Sequence, residues 1–441
     1  MIIPYLRQDL EIFRGNSRED GSPAWLLYDA VRNKYFTVGL TAFRLIKNWR
    51  GGEDIQNFEK KINSQGIETT GDEIKSFIGF LQQNNLIIQP QGQGVPYLMQ
   101  QKNSLKKSWI MNLIHSYLFF KIPLFTPDEW LGRTFSKVKF LGSKKIRNII
   151  YILGFIGLFL VIQQFENFAK TFLYFFSFKG LMIYFITLVF VKCLHELGHA
   201  YIAKYHGCRV SAIGIAFLVF FPFLYTDTTD AWRLRNHKDR LLINFAGILT
   251  ELHLALIATF IWGILPEGGL KSAAFFIATT SWISSIAINV SPFMRFDGYY
   301  IFSDWLKAEN LQPRSFALAK WKVRETLFGF NHKPPEEINP SRRWTFIIYA
   351  WSTWVYRFFL FIGIALLVYY FAFKVLGIIL FAIEIYWFIM LPIIKEMKQW
   401  WMMRSKMKLN KQTFRTVCIL IITLMVLFLP WKSSMKIPAV Y

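Results

Sequence analysis

The 441 residues include 54% hydrophobic side chains, with 45 Phe, 16 Trp and 19 Tyr, which is too apolar and too aromatic for an ordinary soluble enzyme. Long apolar runs mark a polytopic membrane protein, so the formal net charge of +23 (51 basic against 28 acidic) belongs to loops that hold topology and not to a nucleic-acid surface. Three cysteines, Cys193, Cys208 and Cys418, make no CxxC and no paired framework, so no structural disulfide is expected.

Met1 to Arg14 hold no apolar core of signal-peptide length. Residues 1–90 read as a small cytosolic domain. Trp25–Asp29 and Lys34–Val38 are short β-type runs joined by a polar turn, which predicts a hairpin. Amphipathic helical patterns follow at about Thr41–Trp49, Ile55–Ile62 and Gly71–Asn85, and Leu86–Ile88 predicts a returning strand. A hairpin, three helices and a strand describe a small winged-helix α/β domain.

Residues 91–148 form a linker region. Gln89–Gly94 is turn-rich, and Trp109–Phe120, preceded by Lys102, Lys106 and Lys107, is apolar but too short to span, which predicts an interfacial helix. Ile122–Pro127 would break it. Seven spans are then predicted: Ile149–Phe165, Leu181–Lys204, Leu241–Leu265, Ala273–Val290, Thr345–Phe373, Val375–Ile394 and Val417–Leu429. Ile213–Leu224 is apolar but contains Gly214 and Pro222, which predicts a re-entrant or hairpin segment. The expected divisions are a membrane core at 149–300, a cytosolic loop at 301–343, and C-terminal spans with a short external tail at 344–441.

Basic residues set the expected orientation. They crowd the stretches before the first span (Lys137, Lys139, Lys144, Lys145, Arg147), before the third (Arg233, Arg235, Lys238, Arg240), after the fourth and before the last. The alternate loops, such as Pro266–Gly269, are short and poor in them. The N-terminal domain is therefore expected in the cytoplasm and the C-terminus outside.

Within the second span stands His195-Glu196-Leu197-Gly198-His199. Residues four apart share a helix face, so His195 and His199 can grip one metal ion, while Glu196 is turned aside, where it can take a proton from a water held there. Chance yields this pattern on the order of a few times per thousand chains of such composition. A charge in a lipid-embedded helix costs roughly 2.5–3.5 kcal/mol, so these residues need a partner or a function. The bland alternative is a set of satisfied polar groups inside a helix bundle. A hydrolytic zinc site takes three protein ligands and keeps one position open. Candidates for the third are Asp227, Asp230, Glu251, His253 and Asp297. Asp297 lies just past the inward end of the fourth span, at about the depth of His199, with Pro292 to end the helix and Gly298 to give a tight turn. Lys192, four residues before Glu196, could pair with it. Glu251 and His253 could form a second polar site, a proton route or a structural hydrogen bond. Asp227 and Asp230 could line a substrate path or cap and orient the short segment before Trp232.

His-Glu-x-x-His in one span followed by Asn-x-x-Pro-x-x-x-x-Asp-Gly in a later one (Asn289–Gly298) resembles the paired signature of the site-2 protease family of membrane zinc metalloproteases. The resemblance implies that His195, His199 and Asp297 bind Zn2+, that Glu196 is the catalytic base, and that Asn289 steadies the substrate backbone or the oxyanion. Arg295–Tyr300 and Tyr225–Trp232 look like a bacterial branch in which a PqqD-like domain precedes the protease core and a membrane-fusion adaptor of the haemolysin-secretion type often follows. Tyr28-Asp29 and Tyr35-Phe36 resemble that PqqD-like domain, which in its family captures a leader or precursor peptide as an added strand. Two features depart from the pattern. Ala246–Glu251 replaces the family's Pro-Ala-Gly-Pro turn with its following Asn, and no insertion of PDZ size separates the spans. Lys436–Tyr441 resembles the point where the adaptor would begin, so an adaptor is expected as a separate polypeptide.

The expected function is a membrane-embedded zinc endopeptidase coupled to peptide maturation or export. Its expected partners are a peptide or precursor protein, an adaptor, an ABC exporter and the lipid bilayer, with no nucleic acid. The alternative is a non-catalytic membrane subunit of a peptide secretion complex that retains the fold.

Overall fold

Leu10–Arg14 (β1), Trp25–Asp29 (β2) and Lys34–Val38 (β3) form an antiparallel sheet in the order β1-β2-β3, with Trp25 opposite Val38 and Asp29 opposite Lys34. The predicted hairpin is β2–β3. Asn33 closes its turn at φ 50°, a left-handed conformation that Asn tolerates. β1 was not anticipated. The computed structural model describes residues 2–15, 22–66, 68–88, 99, 119–218, 221–371, 374–404 and 410–428. The turn-rich linker at 89–94 and most of the expected interfacial helix at 109–120 lie outside the described residues.

The three predicted helices are Leu40–Lys47 (α1), Ile55–Ser64 (α2) and Gly71–Gln83 (α3). Asp54 caps α2, and Thr70 with Glu73 forms a capping box on α3, so each start is set by a side chain that satisfies free backbone N–H groups. Their apolar residues recur at helical spacing, and Leu45, Ile55, Phe58, Ile62, Ile74 and Ile78 close a core around Ile3. The returning segment at 86–88 makes an isolated bridge, Ile87 opposite Leu6, in place of a full strand. Arg7 reaches from this edge to the fully buried Asp29 at 2.9 Å.

Phe119–Phe125 forms a strand (β4). This corrects the expectation that Phe119 and Phe120 end a helix and that Ile122–Phe125 break it. Pro123 is accommodated where the register shifts, as proline in a strand requires. Asp128–Val138 (α4), Lys144–Gln163 (α5), Phe165–Thr171 (α6) and Phe178–Tyr205 (α7) follow. The segment with Gly214 and Pro222 is a hairpin of Ile213–Leu218 (β5) and Phe221–Thr226 (β6), and β4 pairs with β5 in a second sheet of order β4-β5-β6. His237–Ile264 (α8) and Gly269–Ile283 (α9) come next, then a π-helical turn at Ser284–Asn289 and Asp297–Trp305 (α10).

The chain divides into two compact units, Met1–Pro292 with Phe296–Lys307, and Phe293–Arg295 with Ala308–Tyr441. In the first unit α8 is central and touches α5, α7, α9 and α10. In the second, Leu311–Phe328 (α11) falls within the stretch expected as a loop at 301–343 and packs on Pro340–Phe371 (α12). Lys374–Glu384 (α13), a π-helical turn at Ile385–Met390, Leu391–Met402 (α14) and Lys411–Phe428 (α15) complete it.

Among the described residues, five helices are long and apolar enough to cross a membrane: Lys144–Gln163, Phe178–Tyr205, His237–Ile264, Gly269–Asn289 and Pro340–Leu366. They correspond to the first five of the seven expected spans. The segments expected as the last two are helical but are not among these five.

Candidate metal centre and active site

α7 carries His195 and His199 on one face, as the four-residue spacing requires, and both are buried, 5% and 8% exposed. Asp297 opens α10 and is brought to them from almost one hundred residues away. The Nε2 atoms of the two imidazoles are 3.2 Å apart, and Asp297 Oδ2 lies 3.1 Å from His195 Nε2 and 3.2 Å from His199 Nε2. Among the described residues this is the one group of three or more His, Cys, Asp or Glu side chains placed to hold a metal ion.

The group passes a geometric test for zinc. Metal–ligand distances of ~2.0–2.1 Å in a tetrahedral site imply donor–donor edges of about 3.3 Å, close to the three separations here. The outer ring nitrogens agree. His199 Nδ1 donates to the carbonyl oxygen of Ile243 at 2.7 Å, so its proton sits on Nδ1 and the lone pair of Nε2 points to the centre. His195 Nδ1 lies 3.0 Å from Glu251 Oε1.

Two glycines make this convergence possible. A Cβ on Gly247 of α8 would stand 2.4 Å from Nε2 of His195 and 2.4 Å from Nε2 of His199, so only a residue without a side chain lets α8 lie against the two rings. A Cβ on Gly298 would stand 2.3 Å from the carbonyl oxygen of Val290, which shows how tightly the chain folds back after the π-helical turn. Asp304, about two helical turns beyond Asp297, accepts from Arg240 at 2.7 Å and from Asn244 at 2.8 Å, which pins α10 to α8.

Glu196 is partly buried beside this group, and its backbone carbonyl accepts the hydroxyl of Thr226 at 3.0 Å, linking the end of β6 to α7. Asn289 is buried, and its Nδ2 donates to Glu251 Oε2 at 3.0 Å. Lys192 reaches across to Glu251 Oε1 at 2.7 Å. Of the other third-ligand candidates, Asp227 accepts from Thr229 N at 3.1 Å, and Asp230 accepts from Arg209 N at 2.7 Å and pairs with Arg233 at 3.3 Å. Both therefore organise the segment before Trp232. His253 packs its ring 5.7 Å from that of Tyr151, on the α5 side of α8.

Two relationships had no signal in the sequence: Glu251 lying behind His195, and Tyr35 and Asn33 of the N-terminal sheet reaching Asp230 and Asp227. Both join residues far apart in the chain, and only a tertiary fold reveals them.

Against known proteins, the model of Peptidase family M50 matches residues 182–417, more than half of the chain and the whole of the paired motif. The chain belongs to peptidase family M50. It is a membrane protein of that metallopeptidase family. It is also 25% identical over 131 residues to a Bacillus subtilis (strain 168) protein named "Putative peptide zinc metalloprotease protein YydH". That alignment covers 30% of this chain and 49% of the other protein, so the chain spans about half the length of the curated relative it matches. No solved structure matches the chain.

Proposed function

We propose that this M50 protein is a zinc endopeptidase that cuts a peptide or membrane-associated precursor and serves peptide maturation or export. The observation that carries the reading is the closed triangle of His195, His199 and Asp297, with edges of 3.1–3.2 Å, beside Glu196 on the same helix. The zinc in the name of the Bacillus subtilis relative agrees with it.

His195, His199 and Asp297 would hold the ion, and a bound zinc would supply Lewis-acid chemistry at the scissile carbonyl and the attacking water. Glu196 removes a proton from the attacking water with its carboxylate and later delivers it to the leaving amine nitrogen. Asn289 steadies the substrate backbone at the cut. β6 ends its sheet, and Thr226 at its terminus is bonded to Glu196, so an extended substrate paired along β6 would run past the base. The N-terminal sheet and its three helices act as a PqqD-like domain that captures the leader or precursor on the cytoplasmic side. A separate membrane-fusion adaptor and an ABC exporter carry the product away across a bacterial plasma membrane.

The test is Glu196→Gln in the full-length protein, with zinc content and cleavage of a fluorogenic peptide library measured in detergent. The expected result is zinc retained at the wild-type level and cleavage lowered by about 10²–10⁴-fold, the usual contribution of a general base. A variant that cleaves as fast as the wild type would overturn the enzymatic reading in favour of a non-catalytic subunit.

A further inference from the structure

Glu251 is fully buried in the middle of α8, where a carboxylate has no water to solvate it. Its partners come from two other spans. Lys192 of α7 stands 2.7 Å from Oε1, while Ser285 donates to Oε2 at 2.7 Å and Asn289 at 3.0 Å, both from the π-helical turn. Ser285 and Asn289, four residues apart, lie on the same side of their turn, and both reach one oxygen. With these groups in place, Oε1 faces His195 Nδ1 at 3.0 Å. The two imidazoles are thus backed differently, His199 by the neutral carbonyl of Ile243 and His195 by a charged carboxylate.

Resting on the zinc reading above, we infer that Glu251 is a positioning residue of the metal centre: clamped by Lys192, Ser285 and Asn289, it fixes the tautomer and orientation of His195 and strengthens its Nε2 as a ligand. A carboxylate behind a histidine ligand acts in this way because it holds the proton on the outer nitrogen and enriches the inner one. Lys192 sets an opposite charge against Glu251 at 2.7 Å inside the span. A carboxylate serving only to tie three spans together would not need to face an imidazole. Glu251 also stands in the stretch, Ala246–Glu251, where this chain departs from the motif pattern of the site-2 proteases.

The test uses the full-length protein in detergent, with zinc affinity measured by competition against a chromophoric chelator and the visible spectrum recorded after loading with cobalt(II). Glu251→Gln keeps the size of the side chain and removes its charge. The expected result is zinc binding weakened about 10–100-fold and a shifted cobalt spectrum. Ser285→Ala removes one clamp, is gentler on folding, and is expected to weaken zinc by less than Glu251→Gln, with a smaller spectral shift in the same direction. If both variants bind zinc with wild-type affinity and give the wild-type cobalt spectrum, the inference is overturned. Should Glu251→Gln fail to fold, Ser285→Ala decides by the same two readouts. If the wild-type protein itself takes up no zinc, the metal reading fails and the inference falls with it; wild-type uptake with unchanged variants defeats the inference alone.

Discussion

The hydroxyl of Tyr35 donates to Asp230 Oδ1 at 2.6 Å, tying the N-terminal sheet to the segment that follows β6. Beside it, Asn33 Nδ2 donates to Ser211 Oγ at 2.8 Å and to Asp227 Oδ2 at 3.1 Å. Because Thr226 at the end of β6 is bonded to the backbone of Glu196, the turn of the small domain is two short steps from the proposed base.

Tyr35→Phe removes a hydrogen bond to a charged acceptor, worth ~1.5–3 kcal/mol. Amide hydrogen exchange across residues 25–38 is expected to accelerate, while zinc content stays unchanged. Burial, and then the bond to Asp230, push the Tyr35 hydroxyl above its ordinary value of 10. Since the folded value exceeds the unfolded one, the contact keeps its full stability below pH 10 and loses it as the pH rises further. An alkaline titration of the same exchange rates should therefore show wild type approaching the variant. Identical exchange in the two proteins at neutral pH would mean the contact carries no weight.

Gly247→Ala should abolish metal binding. The added methyl group would stand 2.4 Å from Nε2 of both His195 and His199, and neither ring is the free end of a flexible side chain. Overpacking of this kind costs ~1–3 kcal/mol, so the protein is expected to fold with near wild-type helicity but without stoichiometric zinc. Circular dichroism and metal analysis check the two halves; a variant with full zinc would show that α8 can retreat.

Chelation should lower thermal stability, because the ion joins α7 to the start of α10. With free zinc at about 100 times its Kd, binding adds ~2.7 kcal/mol, and a chelator should remove that increment. Asp297→Ala is expected to melt at the chelated temperature whether or not chelator is present. A wild-type melting temperature that ignores both zinc and chelator would count against the triangle as a metal site.

Asp128 anchors the end of α7 away from the site, taking Lys204 Nζ at 2.9 Å and Val210 N–H at 3.0 Å on one oxygen. Burial works to raise its carboxyl, but these two partners more than offset it, and the net value falls below the ordinary 3.8. A depressed folded value means that the contribution is present above that ordinary value and disappears as the pH falls through the folded one. Asp128→Asn is expected to cost about 1 kcal/mol at neutral pH. The difference from wild type should shrink in acid, as thermal melts at pH 7 and near pH 3 would show; a gap that grew in acid would reverse the assignment.

Much of this architecture was legible in the residue order, for reasons that separate local from distant effects. The β2–β3 hairpin, the three capped helices and the HExxH face follow from short-range patterns and nearby turn residues. β1 and β4 were hidden because a strand's identity rests on its partner. Leu10–Arg14 carries only a faint alternation, and Phe119–Phe125 is aromatic enough to pass for an interfacial helix until β5, almost one hundred residues later, pairs with it. In the site, Asp297 was approachable through its depth and its flanking Pro292 and Gly298. The setting of Glu251 was not, since its partners Lys192, Ser285 and Asn289 are gathered from other helices.

The bond between Tyr35 and Asp230 has a consequence for biosynthesis. Its two ends are separated by 195 residues. At ~5–20 residues per second of translation, the ribosome makes the aspartate ~10–40 s after the tyrosine. During that interval the small sheet and its helices must stand on their own two apolar clusters, one around Ile3, Phe58 and Ile74 and one around Leu27, Val38 and Leu81. The N-terminal fold is therefore expected to be a self-sufficient nascent domain, finished before the rest of the polypeptide offers it a seat.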